Sequence, residues 1–391
     1  MRRRRQVGIR SVLRWEANMQ GSMEQKLDRL EAQGVSILDR RQTYLDESVD
    51  VSRICHGAML YPGVRLIGAR TFVGPGAKIG SEGPAMLDDT VVGQNAEVAS
   101  GYLKGAVMLR DSRVGSNSHI RPGTLLEEEA STAHAVGLKH TVLMSFVTMG
   151  SLINFCDSLI SGGSSRKKHT EVGSGFIHFN YTPRGEHGDK ATPSLIGDVA
   201  HGAFLRQSRI FLGGLSGMVG PQKVGFGSVT IAGQVLRREV SANRIVGDVQ
   251  RKVDKEADML FDSPNRVLTL NLEYIGNLAA LRAWYRDVRL ARIPDDPDNK
   301  HIKIVTQAAH ELLSVCIEER IQKLKLYLAE RNIPFSELSF HVPPCPIRIE
   351  PSSRYVDHIE WISRLPDFDI KTGISWLQSI VEDISGGAKS P

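Results

Sequence analysis

The chain has 391 residues, a formal net charge of +5, 37 glycines and only 6% aromatic residues. This length allows two domains with their own cores, and the many glycines favour a thin β-structure over a large mixed core. No apolar run approaches the roughly 20 residues that cross a bilayer, which argues against a membrane partner. The modest positive charge is compatible with anionic ligands, and a nucleic-acid partner is not expected.

The first 50 residues predict a tail and a linker. The basic segment 1–19 lacks the apolar stretch of a signal peptide and is interpreted as a disordered tail, with Met19 or Met23 as alternative starts. Residues 20–50 are interpreted as a linker with a short helix that ends near Gly34. The four cysteines of the chain lack CxxC or zinc-ligand spacing, which is typical of buried or reduced thiols in a cytoplasmic protein.

The stretch 114–142 repeats with a period of six residues. It reads VGSNSH, IRPGTL, LEEEAS, TAHAVG and LKHTV, and an aliphatic residue opens four of the five units. A period of six fits neither an amphipathic helix nor an alternating strand. It is typical of a left-handed parallel β-helix, a β-solenoid with three flat faces. The alternative, an all-β sandwich with glycine-rich turns, would not keep this phase, so we predict the β-helix for residues 51–246.

Three segments interrupt the repeat. Residues 81–91 break the phase and are predicted to form a loop or an imperfect coil. Residues 161–169 are rich in Gly and Ser and then basic, and residues 182–194 are polar with two prolines. Loops that project from a rigid solenoid commonly carry function, although the 161–169 insertion could equally be a solvated loop.

The composition changes after residue 246, where a polar connector (247–266) leads into a helical domain (267–391). The predicted amphipathic helices are 268–292, 301–331, 355–364 and 372–384. We expect this domain to pack along the β-helix, to cap it or to contact neighbouring subunits, and not to form a second active site.

Short motifs in the repeat region carry a resemblance. They are Arg121-Pro-Gly123 followed by Lys139, Gly173-Ser-Gly175 followed by Asn180-Tyr181, and Val219-Gly-Pro221. Residues 20–247 thereby resemble the C-terminal acetyltransferase half, with its linker, of the bacterial bifunctional N-acetylglucosamine-1-phosphate uridylyltransferases. The resemblance implies a homotrimer that uses acetyl-CoA, or another acyl-CoA, to acylate a phosphorylated or nucleotide-linked amino sugar. The nucleotidyltransferase domain of that family has no counterpart in this sequence, so uridylyl transfer is not expected.

The resemblance also implies roles for single residues. The positions that match substrate-binding residues of the family are Arg121, Lys139, Asn154, Asn180, Tyr181 and Lys190, and those that match its coenzyme A site are Ala203 and Arg238. Two positions depart from the family. Ser151 stands where the family has its catalytic His, and Asn154 stands where it has a Tyr.

Acyl transfer to an amine needs a base, a donor for the oxyanion and a groove for the acyl carrier. Fixed cations such as Arg121 and Lys139 suit a phosphate. The base is not obvious, since Ser151 has replaced the family's His. We predict Ser151 and His140 as the candidate catalytic residues. The other histidines that could substitute are His134, His169, His178, His187 and His201. A metal site is not predicted, because His134 and His140 have no third ligand at a recognisable spacing.

Three hexads form one coil of about 18 residues. Arg121 and Lys139 are therefore predicted to stack on one face, on strands roughly 4.8 Å apart. If they lay on different faces, the phosphate clamp would fail. The sequence thus leaves two functions open: an amino-sugar acyltransferase, or a non-catalytic sugar-nucleotide-binding or scaffold protein that kept the clamp and lost the base.

Overall fold

The computed structural model describes residues 23–179, 192–247, 264–335, 337–338, 340–349 and 355–386. In these ranges the chain forms a parallel β-solenoid that is followed by α-helices. The predicted β-helix of hexapeptide repeats with a helical C-terminal region is confirmed. The tail 1–19 and most of the connector 247–266 lie outside the described residues.

The solenoid has three faces, which we name A, B and C in the order in which the chain visits them. Face A contains 11 strands among the described residues. They are Ser36–Ile37, Met59–Leu60, Lys78–Ile79, Glu97–Val98, Arg113–Val114, Ser131–Thr132, Thr148–Met149, Glu171–Val172, Phe211–Leu212, Val229–Thr230 and Ile245–Val246.

Faces B and C are joined by two long strands, Val136–Leu143 and Ile153–Ile160, whose first halves lie on face B and second halves on face C. The other strands of face B are Tyr44–Leu45, Arg65–Ile67, Ala85–Asp88, Gly101–Lys104, Ser118–Ile120, Ile177–Phe179, Gly217–Val219 and Val235–Leu236. The other strands of face C are Phe72–Val73, Val91–Val92, Val107–Met108, Leu125–Leu126, Ser194–Ile196 and Lys223–Val224.

The segments that interrupt the repeat have defined structures where the structure describes them. The break predicted over 81–91 is only partial, because Ala85–Asp88 is a strand that pairs with Arg65–Ile67 in one enlarged coil. The 161–169 insertion forms an antiparallel hairpin of Gly163–Ser165 and Lys168–His169. Most of the 182–194 insertion lies outside the described residues.

The helices differ from the prediction mainly at their ends. Their bounds are 23–32 (α1), Val199–Gly202 (α2), Pro264–Trp284 (α3), Lys300–Ala329 (α4), His358–Ser363 (α5) and Asp367–Gly386 (α6). The chain continues from α3 as a π-helical segment, Tyr285–Leu290, and short 3₁₀ turns form at Arg40–Gln42, Val51–Arg53 and Pro297–Asn299. Within the described part of the chain, no helix is long and apolar enough to cross a membrane.

Face C is covered by the helices. Except for Lys223–Val224, its strands carry two adjacent apolar residues, of which the second points into the solenoid and the first points outward into a core shared with α3, α4 and α6. We call the outward residues the apolar stripe; they are Phe72, Val91, Val107, Leu125, Val142, Leu159 and Leu195, each at most 3% exposed. Burial of one such side chain contributes about 1.5–3 kcal/mol. Face A, in contrast, presents Lys78, Glu97 and Arg113 outward.

A buried charged cluster also joins the solenoid to the helices. Arg289, in the π-helical segment, donates hydrogen bonds to Glu128 and, at 3.2 Å, to Glu127. The Tyr285 hydroxyl donates a hydrogen bond to Glu127 at 2.8 Å. Burial is the main cause of a raised pKa for the Glu127 carboxyl, which Arg289 opposes. The cluster fixes where the π-helical segment meets the corner between faces C and A.

Candidate substrate-binding face

Arg121 and Lys139 lie side by side at the edge where face B meets face C. Ile120 pairs with Leu138 in the parallel register, and the Arg121 backbone N–H donates to the Leu138 carbonyl at 2.8 Å. The two cations therefore occupy equivalent positions on neighbouring coils of one face, as the 18-residue spacing predicts. Their binding of a phosphate stays a prediction. Cys156 follows on the next coil, where its sulfur accepts a hydrogen bond from Arg121 Nη2 at 3.3 Å.

The same edge carries further cations. Lys104 lies one coil before Arg121, since Leu103 pairs with Ile120, and its Nζ is 2.9 Å from Asp88. Lys104 was not predicted from the sequence, although its spacing of about one coil from Arg121 was a usable signal.

Arg238 is exposed at this edge in a later coil, between strand Val235–Leu236 of face B and Val240, which bridges to face C. The strand pairings place it four coils beyond Lys139. At about 4.8 Å per strand, the two residues are roughly 19 Å apart along the solenoid. An elongated ligand could contact both.

Asn154 and Ser151 lie toward the opposite edge of face B. Asn154 is exposed on the face and stacks over Gly137, where an added Cβ would be 3.0 Å from the Asn154 amide oxygen. Ser151 lies at the corner between faces A and B. Its Oγ forms a 3.0 Å hydrogen bond with Nδ1 of His134, which occupies the same corner one coil earlier. The structure thus brings Arg121, Lys139, Asn154 and Ser151 to one face and its edges.

His140 follows Lys139 at the corner between faces B and C, but its side chain is covered by the helices: it is 11% exposed, and its Nε2 is 3.8 Å from Glu319 of α4. Burial is the main cause of a lowered pKa for this imidazole. Its backbone is left-handed (φ 46°), and the ring leaves no room for a Cβ at Gly123, which is itself left-handed (φ 78°). His140 and Ser151 therefore lie at different corners of the solenoid, and only His140 is covered by α4.

The remaining predicted positions divide into two groups. Asn180, Tyr181 and Lys190 lie outside the described residues. Ala203 ends α2, is only 4% exposed and packs in the core that the helices share with the apolar stripe. Its side chain therefore faces the helices and not face B. Its contact with an acyl-CoA stays a prediction.

Two of the other candidate histidines, His178 and His201, are committed to local contacts, and His187 lies outside the described residues. His178 is 2% exposed, and its Nε2 forms a hydrogen bond with Ser194 Oγ at 2.8 Å. Burial lowers its pKa to about 4. His201 lies on α2, where its hydrogen bond with Asp198 raises its pKa. Across the described ranges, no group of three or more His, Cys, Asp or Glu side chains is arranged to hold a metal ion. The four cysteines are free thiols, and Cys156 and Cys316 are buried.

Helix α4 adds charges beneath the Arg121–Lys139 edge. Arg320 Nη2 donates to Asp157 at 3.2 Å, and Lys323 Nζ is 3.5 Å from the same carboxylate. Arg320 is 1% exposed and Asp157 is 3% exposed. This contact could not be predicted from the sequence, because the two residues are 163 positions apart and neither belongs to a local motif.

Comparison with known proteins bears on the solenoid region. A scan against models of known protein families found no match. Three relatives illustrate the match among the bacterial proteins that carry the name bifunctional protein GlmU. The relative from Nocardia farcinica is 30% identical over 230 residues, which cover 58% of this chain and 41% of the relative. The relative from Clavibacter sepedonicus is 30% identical over 54% of this chain and 38% of the relative.

The third relative, from Carboxydothermus hydrogenoformans, is 27% identical over 60% of this chain and 47% of its own length. This chain therefore matches less than half the length of each of these curated relatives. The match and the observed β-solenoid agree with the resemblance that the motifs predict. Over more than half of its length, this chain is similar to a part of the bifunctional protein GlmU.

Proposed function

We propose that face B binds a phosphorylated or nucleotide-linked amino sugar and that the protein transfers an acyl group from acyl-CoA to the sugar amine. The observation that carries the proposal is the stacking of Arg121 and Lys139 on neighbouring coils. Guanidinium and ammonium donors held side by side by a rigid solenoid suit a phosphate, which accepts several charge-assisted hydrogen bonds. The similarity to the bifunctional protein GlmU supports the hexapeptide-repeat transferase class.

Other residues of face B and its edge suit the sugar and the acyl-CoA. Asn154 supplies an amide for the sugar hydroxyls beside the clamp. The exposed Arg238, about 19 Å along the same edge, suits the phosphates of an elongated acyl-CoA. The acyl carrier would then lie along the edge between faces B and C, with its thioester close to the sugar. These assignments leave two parts of the predicted site without a position on face B: Ala203, which faces the helices, and the base.

A second function follows from Ser151. A serine hydroxyl is not a base by itself, so a protein that kept Arg121 and Lys139 without a proton acceptor would bind a sugar nucleotide and not transform it. In that case the chain is a binding or scaffold protein. Binding without turnover distinguishes the two functions.

We also propose that the protein is a homotrimer. Among the described residues the helices cover face C, which leaves faces A and B open to a second copy. Several large apolar side chains near the corner between faces A and B are 37–82% exposed; they are Leu152, Ile177, Leu215 and Val235. Such a patch on a folded chain marks a contact surface. Sedimentation equilibrium checks the assembly, and a mass of one chain at micromolar concentration would contradict it.

The clamp is tested by titrating glucosamine 1-phosphate into the wild type and into Lys139→Ala, with acetyl-CoA and a thiol-release assay in parallel. A charge-assisted hydrogen bond contributes about 1.5–3 kcal/mol, so Lys139→Ala should weaken sugar-phosphate binding roughly 10- to 100-fold. Lys78→Ala, an exposed lysine on face A, is the matched control and should bind like the wild type. Equal affinity in both variants would refute the clamp.

A further inference from the structure

The contact between Ser151 and His134 offers a proton acceptor, which the proposed acyl transfer lacks. The two side chains are hydrogen-bonded at 3.0 Å on neighbouring coils, and both lie at the solvent-facing corner between faces A and B. The Ser151 backbone N–H donates to Ser174 Oγ at 3.0 Å, which anchors the serine from the following coil. A hydroxyl held against an imidazole is the arrangement that accepts and relays a proton.

This pair differs from the other serine–histidine contacts in the described residues. Those contacts join His178 to Ser158 and to Ser194, and they are buried, with His178 only 2% exposed. A buried pair of that kind cannot meet a ligand from solution. The Ser151–His134 pair can, since His134 is exposed and Ser151 is half-buried.

The pair lies at one edge of the face that carries the predicted clamp. His134 and Lys139 belong to the same coil, and the first half of strand Val136–Leu143 runs between them across face B. From Val136 to Lys139 this face is roughly 10 Å wide at about 3.3 Å per residue. Asn154 lies on it, three residues after Ser151. A phosphorylated sugar bound by Lys139 at one edge therefore extends across the face toward the pair at the other.

We propose that Ser151 and His134 form a proton relay that accepts the proton of the attacking amine, an inference that rests on the acyl transfer proposed above. The neutral amine nitrogen forms a bond to the thioester carbonyl carbon, and the carbonyl electrons move to its oxygen. The amine proton passes to Ser151 Oγ as the serine proton passes to His134 Nδ1. The carbonyl re-forms, the carbon–sulfur bond breaks, and the leaving thiolate takes the proton back through the same relay. The products are an amide and a free thiol.

The experiment compares wild type, His134→Ala, Ser151→Ala and the double variant, using glucosamine 1-phosphate and acetyl-CoA as substrates. Loss of a general base lowers kcat by about 100-fold or more, and we expect that loss in each single variant. Because the two residues act as one unit, the double variant should be no slower than the slower single variant. Binding of glucosamine 1-phosphate should stay within about twofold of wild type, since neither side chain belongs to the clamp.

The pH dependence gives a readout that a structural role would not change. Wild-type turnover should fall at acidic pH, because a protonated imidazole cannot accept a proton and a protonated amine cannot attack the thioester; in His134→Ala only the dependence on protonation of the amine should remain. His56→Ala is the matched control, since His56 is an exposed histidine in an early coil. It should keep wild-type turnover.

The outcomes separate the relay from the acyl transfer. If His134→Ala turned over at the wild-type rate, the relay would be refuted and the proposed acyl transfer would still stand. A covalent acyl group on Ser151, detected by mass spectrometry, would also overturn it, since the hydroxyl would then be a nucleophile. Wild-type protein that binds glucosamine 1-phosphate but releases no thiol would refute the acyl transfer itself.

Discussion

Arg320 tests how the helices are attached to the solenoid. Its guanidinium is 1% exposed and donates to Asp157, which is 3% exposed at the corner between faces B and C. The substitution Arg320→Met keeps most of the side-chain volume and removes the charge. Asp157 would then be a buried carboxylate that keeps the cation Lys323 at 3.5 Å.

The expected loss of stability follows from that burial. Removal of one partner of a buried ion pair destabilises a protein by about 3–5 kcal/mol, because the other charge is left without compensation. Lys323 offsets part of this cost, so we expect the lower end, about 3 kcal/mol. Urea unfolding followed by tryptophan fluorescence measures this loss of stability in the helical core, where Trp284 and Trp376 are buried.

Two further variants make the test specific. Asp157→Asn combined with Arg320→Met should recover most of the loss, because the double variant buries no net charge. Asparagine tolerates the left-handed backbone of this position (φ 56°). Lys303→Met removes an exposed ion pair from the same helix and should cost less than about 1 kcal/mol. If Arg320→Met unfolds at the wild-type urea concentration, the buried pair does not hold α4 in place.

Two other predictions concern the core. Leu125→Ala, in the apolar stripe, should cost about 2–5 kcal/mol in urea unfolding, whereas Val315→Ala, half-exposed on α4, should stay within about 0.5 kcal/mol; equal effects would contradict the packing of face C. Burial lowers the pKa of His178 to about 4 in the folded chain, against an ordinary 6.5. As the pH falls below 6.5, the imidazole is protonated in the unfolded chain but stays neutral in the folded one. The free energy of unfolding should therefore fall by about 3 kcal/mol between pH 6.5 and 4. His178→Gln should remove this part of the slope, and an identical slope in the variant would refute it.

The period of six made the solenoid predictable because the information is local. Each hexad holds one short strand and the corner that follows it, so the stretch 114–142 alone specifies how successive coils stack. The coverage of face C was also present in the sequence, but in a different pattern. Adjacent apolar pairs such as Leu125–Leu126 and Val142–Leu143 recur once per coil, and an outward apolar residue on one face only indicates that another element covers it.

The charges could not be placed in the same way. The segment LEEEAS looks like an exposed acidic turn, yet Glu127 and Glu128 are buried against Arg289, more than 150 residues later. His140 was a reasonable candidate base from its sequence position, and Glu319 of α4 covers it. Such contacts depend on where the helices dock, which no short-range pattern determines. The Ser151–His134 pair, in contrast, spans neighbouring coils and follows from the repeat once the corners are known.

The apolar stripe has a consequence for synthesis of the chain. The coils from Phe72 to Leu195 are made before α3 begins at Pro264. At about 5–20 residues per second, Phe72 leaves the ribosome roughly 10–40 s before the first helix that covers it. During that time the nascent coils can stack on one another but present an uncovered apolar surface, which favours aggregation. Chaperone capture of the growing chain should therefore be strongest in this interval and end once α3 and α4 have docked.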